Sequence, residues 1–472
     1  MTDKKALIND ISDFIEKNRE NYTKDLAALI EVPSVSGKAD GEYVYGKECA
    51  EVLERALKMG DEGGFKTENH EYYCGSIIYG DKEREIGIIG HLDVVPSGDG
   101  WTYLPYKLTA EKGMLIGRGT EDDKGPVVAA LYALKYLKSR NIELPFAVRL
   151  IMGCSEECGM TDLPHFLKVR KAPEFSFTPD SEFPVCVGEK GIGTVHISVC
   201  DELVNIREFS GGTVRNAVAG KAEAVILAES DTSEFPECDG ITVSAETADG
   251  KKAVRIVAKG KTAHAAMPES GVNAIGMLAK YILECPVSLT DKEKNAIEFI
   301  SCAASEYLGN TLGIADSDEP SGYLTCVGSV AKCENGVLKQ TFNIRLPVTL
   351  TWDNVFANIE AVCNKYSFAF EWSSKPSKPY YISPDRKEIK ILSECCETVL
   401  EKECKPYTMG GGTYARHMPN TVAFGCRIPE YAGMLGAGRG CAHDRDEYLS
   451  VYEFESSIKI FVLSVLSLSE EN

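Results

Sequence analysis

The stretch Glu85-Ile86-Gly87-Ile88-Ile89-Gly90-His91-Leu92-Asp93-Val94-Val95-Pro96 sets an imidazole and a carboxylate two residues apart at the end of an apolar run. The run reads as a buried strand. Side chains alternate along a strand, so His91 and Asp93 are expected on one face of its end, where the carboxylate fixes the tautomer and orientation of a metal-binding imidazole. A His-x-Asp standing alone is more often a satisfied histidine at a strand end, so the rest of the chain decides.

The chain has 472 residues, 44% of them hydrophobic, which is too long for one ordinary core and predicts two or three domains. A net charge of −20 with no basic block argues against nucleic acid or an anionic membrane as partner. The seventeen cysteines are odd in number and scattered, and the opening Met1-Thr2-Asp3-Lys4-Lys5 has no apolar signal core. Reduced thiols and a cytoplasmic location are expected. The run Ile458 to Leu468 is shorter than a membrane span and reads as a core helix.

Outward from His91, apolar residues at helical spacing predict two helices over residues 6 to 31, interrupted near Asn18 to Asn21, and a third from about Tyr45 to Lys58. Short strands follow at Phe65 to Thr67 and Tyr72 to Tyr79. Beyond the acidic cluster Glu121-Asp122-Asp123, the residues Val127, Leu131, Leu134 and Leu137 share a helical face. Helix capping alone would account for Asp122 and Asp123 there. Strands Phe146 to Met152 and Phe175 to Thr178 then stop at Gly153-Cys154-Ser155-Glu156-Glu157-Cys158-Gly159 and at Pro179-Asp180. Acidic residues thus gather at strand ends in an alternating strand and helix pattern, where open α/β sheets place ligands.

From about Gly191 the pattern changes to strands such as Gly193 to Val199, Ala222 to Leu227 and Ala253 to Lys259, with helix-like Asn273 to Leu283. The expected organisation is an α/β domain, residues 1–190 and 385–472, interrupted by an inserted α+β domain at 191–384.

A two-metal site wants a few His and carboxylate ligands, one carboxylate bridging the ions, and a base. His91 would bind one ion, Asp122 would bridge, Glu157 and Asp180 would complete the shells, and His443 in Gly440-Cys441-Ala442-His443-Asp444-Arg445-Asp446-Glu447 would close the site. His70, His165, His196 and His417 lack such surroundings and are read as structural. Cys154 and Cys158 flank the Glu pair without a second Cys/His pair and are read as packing.

Together, His91/Asp93, Gly117 to Gly125, Glu156/Glu157 and His443 resemble the co-catalytic zinc peptidase family that includes carboxypeptidase G, aminoacylase and the bacterial dipeptidases, with the nearer likeness to the dipeptidase V (Xaa-His, carnosinase-like) branch. That likeness rests on Thr178 to Pro184, Gly188 to Gly191, Asn343 to Pro347 and Gly411 to Arg416. The resemblance implies a catalytic α/β domain with a central mixed sheet (1–190 and 385–472) split by an inserted lid (191–384), two zinc ions, with cobalt or manganese as substitutes, and a monomer whose enlarged lid completes its own site. It also implies Glu156 as base, Asp93 orienting His91, His264 stabilising the oxyanion, and Asn216, Arg345 and Arg416 holding substrate. Glu121 departs from the family's usual small residue. The expected activity is hydrolysis of dipeptides with a free C-terminal carboxylate. N-acyl amino acid deacylation is the alternative in the same chemistry, and a non-catalytic metal-binding protein would require a missing ligand or base.

Overall fold

The computed structural model describes residues 2–436 and 438–470. The chain packs as two compact units, one of Met1–Val187, Ile382–Tyr407 and Gly412–Asn472, the other of Gly188–Tyr381 with Thr408–Gly411. The sequence pattern draws the corresponding borders at 190/191 and 384/385. It misses that Thr408–Gly411 groups with the second unit, where the Lys190 N–H donates to the Met409 carbonyl at 2.9 Å and the Thr408 hydroxyl to that of Pro320 at 3.0 Å.

In the first unit, the strand Glu85–His91 lies inside a mixed sheet ordered Lys66–His70, Cys74–Tyr79, Ala147–Gly153, Glu85–His91, Phe175–Thr178, Thr421–Phe424, Val185–Glu189. It runs parallel to both neighbours, with His91 beside Gly153 and Ile88 beside Phe177. Three adjacent parallel strands therefore end on one edge, and the loops that leave them carry His91 and Asp93, Glu156 and Glu157, and Asp180. The two strands on the Ala147–Gly153 side, and Val185–Glu189 beside Thr421–Phe424, pair antiparallel.

Alternation assigns Ile88 and Gly90 to one face of the strand and Ile89 and His91 to the other. The helix Lys124–Ser139 packs against the first face and is in contact with Val451–Glu470, whose Phe461 meets Phe177 of the same face, and with Arg19–Ile30. A Cβ on Gly90 would stand 2.5 Å from both Asp123 Oδ2 and Val127 Cγ2, so only glycine lets that helix start so close to the strand. On the second face Ile89 and Ile151 meet Leu163 and Phe166 of the helix Asp162–Val169 and Tyr414, all buried. Each such side chain contributes about 1.5–3 kcal/mol of transfer free energy.

Local chemistry sets several borders. The first two helices, Thr2–Lys17 and Arg19–Ile30, break at Asn18, whose side-chain amide turns back to the Phe14 carbonyl at 2.9 Å. The third begins at Lys47 rather than Tyr45 because Gly46 has φ +96°, outside the helical region. The last helix, Val451–Glu470, buries Ile458, Phe461, Val462 and Val465 in the core. Among the described residues no helix is long and apolar enough to cross a membrane.

The second unit is built on an antiparallel sheet ordered Ile241–Ala248, Lys251–Lys259, Lys221–Leu227, Ile206–Gly211, Thr325–Glu334, Val337–Leu346, Gly191–Cys200, Ala369–Trp372. Helices Ala274–Glu284, Asp291–Ala304 and Trp352–Tyr366 supply its core with Ile275, Leu278, Ile297, Ile300 and Ile359. Asp291–Ala304 starts with a capping box, Thr290 with Glu293. The buried Glu293 carboxylate also accepts the N–H groups of Val204, Asn205 and Ile206, tying helix to sheet.

Candidate metal centre

His91 is fully buried, and its Nδ1 lies 2.9 Å from the Asp93 carbonyl oxygen and 3.3 Å from Asp93 Oδ1. With Nδ1–H donated to that carbonyl, the neutral form of the ring, the form that binds a metal, carries its lone pair on Nε2. Nε2 faces Asp122 Oδ1 at 2.8 Å and Asp180 Oδ2 at 3.9 Å, yet makes no hydrogen bond. The Asp93 carboxylate is not confined to orienting the ring. Its Oδ1 accepts the Glu156 N–H at 3.2 Å and its Oδ2 the Glu157 N–H at 3.1 Å, so it holds the loop that carries both glutamates.

On the other side, His443 Nε2 stands 3.0 Å from Asp122 Oδ2 and 3.0 Å from Glu157 Oε1. Two donor sets result, His91 with Asp122 and Asp180, and Asp122 with Glu157 and His443, the atoms of each lying within 4.8 Å of one another. Asp122 belongs to both and turns one oxygen to each. A carboxylate so placed can bridge two cations at the spacing of a two-metal site.

The electrostatics point the same way. Burial, then Asp122 and Glu156, pushes the Asp180 carboxyl well above its usual range. Glu156 is likewise pushed up by burial, with His91 opposing and Asp122, Glu157 and Asp93 adding to the rise. Burial would raise Asp122 as well, but His443 and His91 hold it far below the ordinary value. Asp122 and Glu157 in turn hold His443 protonated up to about 11. Converging carboxylates and an orphaned imidazole nitrogen call for a cation. The donor set, imidazole nitrogen plus carboxylate oxygen, fits zinc and admits cobalt or manganese.

Helix capping does not account for the acidic cluster. Asp123 occupies the N-cap of Lys124–Ser139, but its side chain makes no capping bond; Oδ2 accepts the His91 N–H at 3.0 Å instead. Glu121 faces the buried Arg427, Oε1 to Nε 3.4 Å, so its carboxylate has a cationic partner of its own.

Sequence reasoning missed three supports. The buried Asp162 accepts the N–H groups of Cys154 at 2.8 Å and Ser155 at 2.9 Å, and the Tyr414 hydroxyl donates to the same oxygen. The Tyr414 ring meets His91 edge to face at 6.1 Å. Arg118 and Glu447 form a buried ion pair at 2.5 Å behind Asp122. The only signal available was a charged residue inside a glycine-rich or His-containing motif. Three of the four histidines read as structural have local partners: His70 with Ser76, His196 with Thr341, and His165 stacked on Tyr73.

In the second unit, the segments bearing Asn216 and His264 pair, the Ala265 N–H donating to the Asn216 carbonyl at 2.8 Å. Both residues are exposed. His264 Nδ1 accepts the Ala266 N–H at 3.2 Å, which puts the proton of the neutral ring on Nε2. Arg345, expected at a sheet edge if merely solvated, is instead 4% exposed on an interior strand, with Nε bonded to Asn343 Oδ1 at 3.0 Å and Nη1 to the Gly410 carbonyl at 2.9 Å. In the first unit the Arg416 guanidinium lies over Gly412, where a Cβ would occupy its space.

The chain is 31% identical over 488 residues to YtjP of Bacillus subtilis (strain 168), covering 99% of this chain and 98% of that one. It is 29% identical over 476 residues to the Beta-Ala-Xaa dipeptidase of Lactobacillus delbrueckii subsp. lactis, covering 97% of each. The crystal structure of human carnosine dipeptidase 1 shares the fold with a TM-score of 0.60 at 16% identity, over 98% of this chain and 99% of that one. The pattern of peptidase family M20/M25/M40 matches residues 87–467, from the strand that ends in His91 to the helix beyond Glu447, and the chain belongs to that family.

Proposed function

We propose that the protein is a dizinc dipeptidase that hydrolyses the amide bond of dipeptides carrying a free C-terminal carboxylate. The observation that carries this reading is the shared Asp122, one oxygen toward His91 and the other toward His443. His91, Asp122 and Asp180 would hold one ion, and Asp122, Glu157 and His443 the second. Bound there, the pair supplies Lewis acidity toward water and the scissile carbonyl. The half-buried Glu156 takes a proton from the attacking water as its oxygen bonds to the carbonyl carbon. The C–N bond then breaks and Glu156 returns that proton to the leaving nitrogen, giving a carboxylic acid and an amine, which pass to carboxylate and ammonium by transfer of the acid's proton.

The second unit is assigned the role of a lid. A neutral His264 with its proton on Nε2 is a hydrogen-bond donor, as a group stabilising an oxyanion must be. Arg345, whose guanidinium is held by Asn343 and Gly410, suits a fixed α-carboxylate, with Asn216 and Arg416 as further substrate contacts. The relative from Lactobacillus, named for a dipeptide substrate, favours this reading over deacylation.

The test is hydrolysis of a dipeptide panel beside N-acetyl and N-succinyl amino acids, before and after chelation and zinc return. Zinc-dependent dipeptide cleavage is expected. Cleavage of the acyl derivatives alone, or turnover indifferent to chelation, overturns the reading.

A further inference from the structure

The Arg118–Glu447 pair is fully enclosed, at 1% and 0% exposure, in a part of the first unit where a buried ion pair is not needed to hold the chain. Backbone pairing already does that: the Gly117 N–H donates to the Glu447 carbonyl at 2.9 Å, and Tyr448–Ser450 pairs with Met114–Ile116. Desolvating two charges is expensive, and an apolar pair of similar volume is often as stable. Its contacts show what the pair adds. Glu447 Oε1 gathers three backbone N–H groups, those of Gly119 at 2.9 Å, Glu121 at 2.9 Å and Asp122 at 3.1 Å. Its Oε2 takes Arg118 Nη1. The other arm of the guanidinium, Nη2, reaches the His443 carbonyl at 3.2 Å, with longer contacts to the carbonyls of Ser97 at 3.4 Å and Pro96 at 3.5 Å.

One ion pair thus grips the peptide of Asp122 and the peptide of His443, the two residues whose side chains converge at 3.0 Å. The His443 backbone needs such a grip. It stands at φ +66°, with Asp446 at φ +54°, in the left-handed region that costs a non-glycine residue of order 1 kcal/mol or more unless its surroundings impose it. The His443 side chain itself is 55% exposed, so packing does not impose it.

We propose that Arg118 and Glu447 are positioning residues of the metal centre: through the Asp122 amide and the His443 carbonyl they set the half formed by Asp122, Glu157 and His443. This rests on the dizinc reading above. Arg118→Lys keeps a cation for Glu447 but has no second arm for His443. Glu447→Gln keeps an acceptor for the three amides but removes the charge that orients Arg118.

The test is titration of the metal-free chain with zinc alone against a competing chelator, beside the thermal midpoint of each metal-free variant. The unmodified chain should take up two equivalents. In Arg118→Lys one equivalent should stay near its original affinity and the other weaken by about 10–100-fold, the range for lost support behind a ligand, with the metal-free midpoint little changed. Glu447→Gln should weaken the same equivalent at least as much; if it does not fold, Arg118→Lys decides. Two equivalents of unchanged affinity in Arg118→Lys, or both weakened in step with lost metal-free stability, overturns the proposal. Fewer than two equivalents in the unmodified chain overturns the dizinc reading, and the proposal with it.

Discussion

Asp93 Oδ2 accepts the backbone N–H of Glu157 at 3.1 Å, while its own carbonyl lies 2.9 Å from the Nδ1 of His91. One residue therefore links an imidazole on one strand end to a carboxylate loop on the next. In Asp93→Asn the side-chain nitrogen would face an N–H donor, and only one of the two amides, Glu156 or Glu157, would keep its acceptor. Zinc affinity and turnover should fall by about 10–100-fold, with little loss of cooperative unfolding. Unchanged zinc affinity and turnover in that variant would reduce Asp93 to a strand-end polar residue.

The adjacent glutamates are expected to separate cleanly. Of the two, Glu157 joins a donor set, whereas Glu156 is a half-buried carboxyl in neither. Glu156→Gln should abolish turnover while zinc content stays near that of the parent, because a base is lost and no ligand is. Glu157→Gln should lose metal. Metal analysis beside rate measurement checks both, and swapped phenotypes would reverse the assignment.

The sequence made the donor atoms legible because each sits in a short motif at the end of an apolar run: His91, Asp122, Glu157, Asp180 and His443 are the five residues of the two donor sets. What holds them was not legible. Asp93 and Glu447 act on backbone amides, and a carboxylate's choice of amides depends on how loops fold over one another; Glu447 meets the Asp122 N–H across 325 positions. The burial of Arg345 was hidden for a related reason. Its strand is flanked by Thr325–Glu334 and Gly191–Cys200 in the sheet, and strand order is not written in the strand's own residues. Helix borders shifted where a glycine's φ, as at Gly46, overrode apolar spacing.

On the edge strand Lys66–His70, Glu68 predicts a pH dependence of stability. Burial acts to raise its carboxyl, but Lys66 and Arg149 outweigh that and hold it at about 2 against an ordinary 4.5. Its Oε2 is 2.8 Å from Arg149 Nη1, and its side chain is 12% exposed. A carboxyl depressed by folding stabilises above its unfolded value and loses that contribution as pH falls from about 4.5 toward 2, here about 3 kcal/mol in all. Glu68→Gln should therefore be less stable than the parent at pH 7, and the gap should narrow on acidification below pH 4.5. Denaturant unfolding at several pH values measures it. A gap independent of pH would show that Glu68 contributes by packing alone.

His264 distinguishes chemistry from recognition. If its Nε2–H meets the developing oxyanion, His264→Ala should lower kcat and kcat/KM together, because the interaction is made in the transition state. An increase in KM at constant kcat would reassign it to substrate binding.

Arg345 bears on why two residues and not more. A planar guanidinium already braced by Asn343 and the Gly410 carbonyl can offer a carboxylate two parallel N–H groups, which a flexible ammonium cannot. Its burial on an interior strand removes the possibility that it merely extends into solvent. If it anchors the α-carboxylate, a dipeptide amide should be a poor substrate, and Arg345→Lys should raise KM for dipeptides sharply while barely changing hydrolysis of the amides. A buried lysine at 345 would keep the charge, so loss of stability should stay small beside the change in KM, and denaturation of the variant checks that. Efficient cleavage of tri- and tetrapeptides by the unmodified protein, or equal losses on dipeptides and their amides in the variant, would show that Arg345 does not read the C-terminus.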